Sequence, residues 1–388
     1  MGALTGIRVL DLSRVLAGPW AGQLLADLGA EVIKVERPGR GDDTRQWGPP
    51  FVTDPQGQPT DTSAYFACAN RGKRSVCLDL KREADQARCR ELARECDVVI
   101  ENFKVGDAAR LGLDYPRLSA DNPGLIHCAI TGFGQTGPYC HRPGYDLLVQ
   151  AMGGLMSITG APEGGAQKVG VALTDIMTGL YATVGILSAL HERAHSGLGQ
   201  SIDLALLDVT VATLANQASN ALVGGLNPGR MGNAHPNIVP YQSFVCADGE
   251  LVLAVGNDAQ FARLCEVMGQ GGWATDGRFA TNAARVAHRD ELVPALARCF
   301  LDHPRSHWLA RLAEVGIPAG PINSVAEALA DPQVLAREMV VALTQEGGAQ
   351  VKVAGNPIKL SRTPVEYLSA PPALGADQQR VLGTKKPA

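Results

Sequence analysis

The chain is 388 residues long, 45% apolar and 19% charged, with a formal charge of −4. That length exceeds one ordinary core and suits two domains, and the composition describes a packed globular protein, not a disordered one. The slight acidity argues against a dedicated nucleic-acid binder, while leaving room for a local basic site that takes a phosphorylated small molecule.

In chain order, Ile7–Leu12 is an apolar run of strand length, and Ala21–Leu28, after Gly18-Pro19, has helical spacing. Glu31–Glu36 reads as a second strand and Arg74–Leu80 as another, followed by a charged amphipathic helix from Lys81 to Glu95. Asp97–Phe103 and Leu125–Thr131 complete the set, with a turn signal at Asn122-Pro123-Gly124. Strands alternating with helices imply βαβ units. The expected fold is therefore α/β, with a Rossmann-like large domain whose parallel sheet is covered on both faces.

One long helix is expected from Asp175 to His195, then a break at Gly197–Gln200, a strand at Ser201–Leu206 and a helix to Val223. The composition breaks at Gly224–Gly229. Beyond it a hairpin (Tyr241–Cys246 and Leu251–Val255 around Asp248-Gly249) and helices near 258–268, 289–301 and 305–315 predict a smaller α+β domain. The expected division is a large domain at 1–223, a small one at 224–330, and a segment at 331–388 that returns to the large domain. The apolar stretch Ile176–Leu190 is interrupted by Thr, Gly and Ser and reads as a buried helix, not a membrane span. The start has no cationic region followed by an apolar run, and the nine cysteines form no CxxC pair. A reducing, cytoplasmic setting with no membrane or nucleic-acid partner is the expectation.

Two motifs look functional on first sight. His191-Glu192-Arg193-Ala194-His195 spells the helical zinc pattern HExxH, but no third ligand follows at a suitable spacing. Histidines in the last turn of a helix are favoured by its dipole, which is sufficient reason for them, so no metal is expected. Gly132 to Gly137 spells GxGxxG after a strand, yet Pro138 and Pro143 follow where a helix should open towards a pyrophosphate. It reads as a glycine-rich loop. Neither a Walker A sequence nor a G-x-S-x-G elbow is present.

Several separate blocks carry a resemblance. Gly6–Pro19 (GIRVLDLSRVLAGP) and Ala26–Gly39 (ADLGAEVIKVERPG) are similar to the family III CoA-transferases, which also include methylacyl-CoA racemases. So are Asn70–Ser75 with Leu78–Lys81, Val99–Phe103, Pro143–Asp146, and Val171–Asp175 with Thr178–Tyr181. The blocks run nearly end to end in the family's order.

The resemblance implies that Asp175 is a carboxylate nucleophile; read by itself, Asp175 is an ordinary cap on a long helix, whose N-terminus would keep it ionised. CoA contacts implied by the family fall on Val15, Leu16, Ala17 and Arg37, on Leu78, Asp79, Leu80 and Lys81, on Asn102, Phe103 and Lys104, and on Arg110. Arg37, Lys81 and Arg110 suit a ligand bearing phosphates, although each alone reads as a solvated surface charge. Trp47, Tyr65, Tyr145 and Asp146 match positions near the acyl group. CoA thioesters would serve as substrates, with no tightly bound cofactor, and the family implies a ring-shaped chain in an interlocked homodimer.

Two departures from the family pattern bear on the reaction. Racemases carry Gly-His-Asp where this chain has Gly144-Tyr145-Asp146, which removes a proton-transfer group and favours transfer over racemisation or epimerisation. Formyl-CoA transferases carry a glycine run as a lid where Val255-Gly256-Asn257-Asp258 stands here, which argues against an oxalate-type substrate. Gly41–Phe51 and Gly232–Phe244 most resemble transferases that use succinyl-CoA with dicarboxylates or hydroxy-dicarboxylates. The acceptor acid's second carboxylate needs donors, for which Arg45, Arg230 and His235 are candidates.

Overall fold

The computed structural model describes residues 2–383. Six strands form the main sheet: β1 (Arg8–Asp11), β2 (Glu31–Glu36), β3 (Lys73–Cys77), β4 (Val98–Glu101), β5 (Ile126–Thr131) and β6 (Ser201–Ala205). Their order is β3-β2-β1-β4-β5-β6, and every neighbouring pair is parallel. This is a doubly wound sheet whose strand order reverses direction between β1 and β4.

Burial on both faces explains the continuous apolar runs. Val9, Val32, Val98 and Ile100 face one core, while Leu10, Ile33 and Val99 face the other. The first core is closed by α1 (Ala17–Asp27), through Ala21 and Leu25, and by the long helix at Leu173–Ser196, through Ala182, Ile186 and Ala189. The second is closed by α2 (Glu83–Arg94), whose Cys89, Leu92 and Ala93 point inwards. Between β4 and β5 lie two short helices, α3 (Asp107–Leu111) and α4 (Tyr115–Asp121). The next helices are α5 (Asp146–Met152), the long α6 (Leu173–Ser196) and α7 (Leu206–Thr213).

Helix α1 begins four residues before the expected Ala21. Gly18-Pro19 reads locally as a stop, but proline in a first turn lacks an N–H that would have no intrahelical partner anyway. Helix α6 is apolar and long enough to cross a membrane by length and composition alone. Its buried positions Thr178, Ala182, Ile186 and Ala189 follow the helical period, and the helix packs on α1. At Gly179 an added Cβ would stand 2.7 Å from the Ala17 carbonyl oxygen, so the two helices approach backbone to side chain just past Asp175.

Two compact units divide the chain. The first holds the sheet and is built from the chain up to Leu155, from Lys168 to Leu226 and from Pro332 onward. Its C-terminal part forms a hairpin, Val340–Thr344 with Gln350–Ala354, and ties back to β3 through Ser75 N–H donating to Asp377 and Cys77 N–H donating to Gln378. The second unit comprises Met156–Gln167 and Asn227–Asp331. Its antiparallel sheet contains β7 (Tyr241–Cys246), β8 (Gly249–Ala254) and β9 (Ala319–Pro321), in the order β9-β8-β7. Phe244, Leu251 and Leu253 from the sheet pack on Phe261, Leu296 and Phe300 from its helices.

Candidate active site

In an open parallel sheet, ligands bind beyond the carboxyl ends of the strands where the strand order reverses. Here that point lies between β1 and β4, and the segments leaving the two strands are joined. Asn102 Oδ1 accepts from the Arg14 N–H at 3.0 Å, and its Nδ2 donates to the Arg14 carbonyl at 2.8 Å. The next residue, Val15, has φ of 73°, a left-handed conformation that a β-branched residue rarely adopts. Its N–H points at the Asp42 carboxylate, 3.3 Å from both oxygens. Strain of this kind persists only where the surroundings enforce it.

The surroundings are a buried ionic network. Asp42 pairs with the fully buried Lys34 ammonium at 2.9 Å and accepts the N–H and hydroxyl of Thr44. Burial opposes ionisation of Asp42, but Lys34 and the Thr44 bonds outweigh it and hold its pKa down to about 2. Below it, Asp11 receives Lys73 at 2.8 Å and the Ser13 hydroxyl. Burial lowers the Lys73 pKa to about 8 in spite of Asp11. Each buried charge is matched by an opposite one, as it must be.

Asp175 stands on the third residue of α6, and the helix cap is Ala172, without a side-chain bond. The cap role is taken instead by Asp146 from the first turn of α5. Its Oδ1 accepts the N–H of Thr174 at 2.9 Å and of Asp175 at 3.3 Å. Gln150 Nε2 holds the other Asp146 oxygen at 2.7 Å. The helix-end donors therefore serve Asp146, and the Asp175 carboxylate accepts no hydrogen bond among the described residues. Its pKa is pushed up to about 7, by burial first and then by the like charge of Asp146. The sequence expectation that the helix end keeps Asp175 ionised is reversed, because another carboxylate occupies that position.

Beside this group stands Tyr65, its phenol pushed up to about 12 by burial and then by the charge of Asp175. The half-exposed Trp47 indole meets the Tyr65 ring edge to face, with centroids 5.1 Å apart. Tyr145 precedes α5 as its N-cap residue and is 67% exposed. Gly132 and Gly144 touch backbone to backbone, since a Cβ on Gly144 would lie 2.4 Å from the Gly132 Cα. The GxGxxG loop thus abuts the chain leading into Asp146.

A cavity of about 390 Å³ opens beside the same strand ends. It brings together Arg37, Leu78, Asp79 and Leu80, with Lys81, Phe103 and Arg110 also lining it. Arg37 pairs with Asp43 at 2.7 Å, and Arg14 reaches the same carboxylate from the other side at 2.8 Å. Lys104 is exposed and its carbonyl caps the turn into α3. Leu16 is the N-cap residue of α1 and Ala17 opens the helix.

The family model described as CoA-transferase family III matches residues 4–378. The chain belongs to that family. It is 53% identical over 379 residues to the succinate–glutarate CoA-transferase of Agrobacterium fabrum, a match that spans 98% of this chain and 94% of the relative. It is 43% identical over 361 residues to the acetyl-CoA:oxalate CoA-transferase of Acetobacter aceti, spanning 93% and 90%. A solved CaiB/BaiF family protein from Brucella suis matches with a TM-score of 0.85 at 50% identity, over 98% of both chains. The protein is a CoA-transferase, an enzyme class whose substrates are CoA thioesters.

Not every residue singled out in this CoA-transferase's sequence is free to meet a substrate. Arg45 is 3% exposed and spends Nε and Nη2 on Glu36, each at 2.8 Å, with its guanidinium over the Phe66 ring. Only its buried Nη1 lacks a partner, so Arg45 is a structural cation and not a receptor for an acceptor's carboxylate. In the second unit, His235 Nδ1 accepts the Asn237 N–H and its ring lies 5.2 Å from Tyr241. Arg230 donates to the Ala161 carbonyl at 3.3 Å. Asn257 caps the helix at Asp258–Val267, and the Gly256 N–H donates to Gln260 Oε1 at 2.7 Å. That segment is tied at two points, as a capped turn.

In α6, His195 Nδ1 contacts the His191 carbonyl at 2.9 Å, and no group of three potential metal ligands occurs among the described residues. Sequence reasoning missed Asp42 and Gln150, which hold the implied ligand-contact residues Val15 and Asp146 in place. The only signal for Asp42 is its place in an Asp-Asp-Thr turn.

Proposed function

We propose that this enzyme moves CoA from succinyl-CoA to a dicarboxylic acid of the glutarate class, through covalent intermediates on Asp175. The observation that carries the reading is the Asp175 carboxylate, half-buried, free of hydrogen bonds among the described residues and raised to about 7. A carboxylate poised near neutrality and stripped of donors is a stronger nucleophile than a solvated one. One Asp175 oxygen attacks the thioester carbon. The C–S bond breaks, and CoA leaves as thiolate, giving a mixed anhydride. The thiolate then attacks the Asp175 carbonyl carbon, the anhydride C–O bond breaks, and the donor acid departs from an aspartyl-CoA thioester. The acceptor carboxylate attacks that thioester and expels the thiolate. The thiolate takes the acceptor's acyl carbon and restores Asp175. No proton is gained or lost overall.

Both relatives' names support a dicarboxylic acceptor, and the higher identity to the glutarate enzyme, 53% against 43% for the oxalate enzyme, favours glutarate. The test is a panel of acceptors with succinyl-CoA as donor. Glutarate should give the highest kcat/KM; oxalate as the best acceptor would overturn the assignment. The rate should rise with pH and level off above about 7, as Asp175 loses its proton. Asp146→Asn keeps an oxygen for the helix cap but removes the like charge, so the midpoint should move to lower pH in a pH–rate profile.

Both anhydrides and the aspartyl thioester are vulnerable to water. The Trp47–Tyr65 pair beside Asp175 is the shield in this reading. Trp47→Ala should raise hydrolysis of the acyl-CoA relative to transfer, measured as free CoA released without an acceptor. An interlocked homodimer is part of the same reading. It is supported by exposed apolar side chains of the first unit, among them Val184, Leu222, Val223 and Leu226. Sedimentation showing only monomers would contradict it.

A further inference from the structure

Four cations from separate segments meet beside Gly112. Lys81 precedes α2, Arg90 lies on α2, Arg110 lies in the last turn of α3 and Arg117 lies on α4; all four line a second cavity of about 430 Å³. Gly112 ends α3 with φ of 71°. A Cβ built there would sit 3.0 Å from Arg90 Nη1 and 3.2 Å from Arg117 Nη1. Two guanidinium groups from different helices thus aim at one small volume that only a glycine leaves open. Like charges in that arrangement repel unless an anion comes between them.

The local carboxylates do not fill that role. Asp107 is committed to Arg110 at 3.0 Å, and Asp114 stands 3.7 Å from Arg117, too far for a hydrogen bond. Neither lines the cavity, where Glu83 is the one acidic residue against four cations. Arg90 donates to the Leu111 carbonyl at 3.3 Å, whereas the Lys81 ammonium and the Arg117 guanidinium make no hydrogen bond among the described residues.

This cavity shares Lys81, Gln86, Arg110 and Leu111 with the 390 Å³ cavity at the strand ends. The geometry points to a phosphate-monoester subsite, in which Arg90 and Arg117, helped by Lys81 and Arg110, bind the 3′-phosphate of the CoA nucleotide while the adjoining cavity takes its nucleoside. The inference rests on the CoA-transferase reading of that adjoining cavity and adds residues to it. A terminal phosphate suits the place: the side chains of Arg110 and Arg117 are 73% and 64% exposed, so a doubly charged group held there keeps contact with solvent. Paired guanidinium groups match its charge and its several acceptor oxygens.

Calorimetric titration of the full-length protein with CoA and with dephospho-CoA tests this. The wild type should bind CoA at least about tenfold more tightly, the scale of one or two charge-assisted hydrogen bonds. The double variant Arg90→Gln/Arg117→Gln should bind both ligands with the wild type's affinity for dephospho-CoA. Gly112→Asp, which puts a carboxylate between the two arginines, should also erase the preference; circular dichroism checks that both variants fold. A double variant that keeps the preference, or loses affinity for both ligands equally, overturns the inference. A wild type that binds the two ligands equally defeats the inference and leaves the CoA-transferase reading standing; one that binds neither defeats both.

Discussion

Asp175→Asn should lower CoA transfer by about four orders of magnitude or more, as expected when a covalent nucleophile is removed, and yet make the protein more stable at neutral and alkaline pH. The sign follows from the carboxyl group's two environments. In the unfolded chain an aspartate titrates near about 3.9, and in the folded protein Asp175 titrates near about 7. A group whose folded pKa is raised contributes stability below the unfolded value and loses it as pH rises through the folded one. The wild type should therefore weaken between about pH 4 and 7 at this site, and asparagine removes that penalty. Thermal unfolding at pH 8 should show a higher Tm for the variant, with the gap closing below pH 4. An equal or lower Tm at pH 8 would mean that Asp175 is not held in the unfavourable setting on which its proposed reactivity rests.

Asp42→Ala should have the largest effect on folding. It leaves the Lys34 ammonium buried without its partner, frees two Thr44 donors, and releases the Val15 N–H. Breaking one member of a buried pair costs on the order of 3–5 kcal/mol. Urea denaturation should show that loss, and any folded enzyme should bind CoA weakly, because the strained turn at Val15 loses its anchor. The Asp42 pKa is depressed to about 2, so its contribution is present above the unfolded value of about 3.9 and disappears as pH falls towards 2. The wild type and Asp42→Ala should converge in stability in that acid range. A variant as stable as the wild type at pH 7 would show that the network around Lys34 does not hold this turn.

The sheet was legible because its strands carry apolar residues on both faces. Val9 and Leu10, or Val98 and Val99, alternate between two cores without interrupting the apolar run. The small unit's hairpin was legible for the opposite reason, since Asp248-Gly249 marks a turn between alternating segments. What stayed hidden depends on partners distant in sequence. Met156–Gln167 joins Asn227–Asp331 in one unit although composition gives no boundary there. Arg45 has the sequence of a surface loop cation, but Glu36 from the preceding strand claims it. Asp175 looks like a helix cap until Asp146, from another helix, is seen to take that place. The resemblance carried by separate sequence blocks pointed to Asp175 as the candidate nucleophile, while the state of its carboxyl group follows only from what surrounds it.

Mass spectrometry tests the central claim most directly. The protein is incubated with succinyl-CoA, quenched with hydroxylamine or borohydride, digested, and the peptide carrying Asp175 is sequenced. The expected result is a hydroxamate, or a side chain reduced to the alcohol, confined to Asp175 and absent without the thioester. An unmodified Asp175 in protein shown to bind CoA and to turn over would contradict the covalent route and return the carboxylate to a structural or acid–base role.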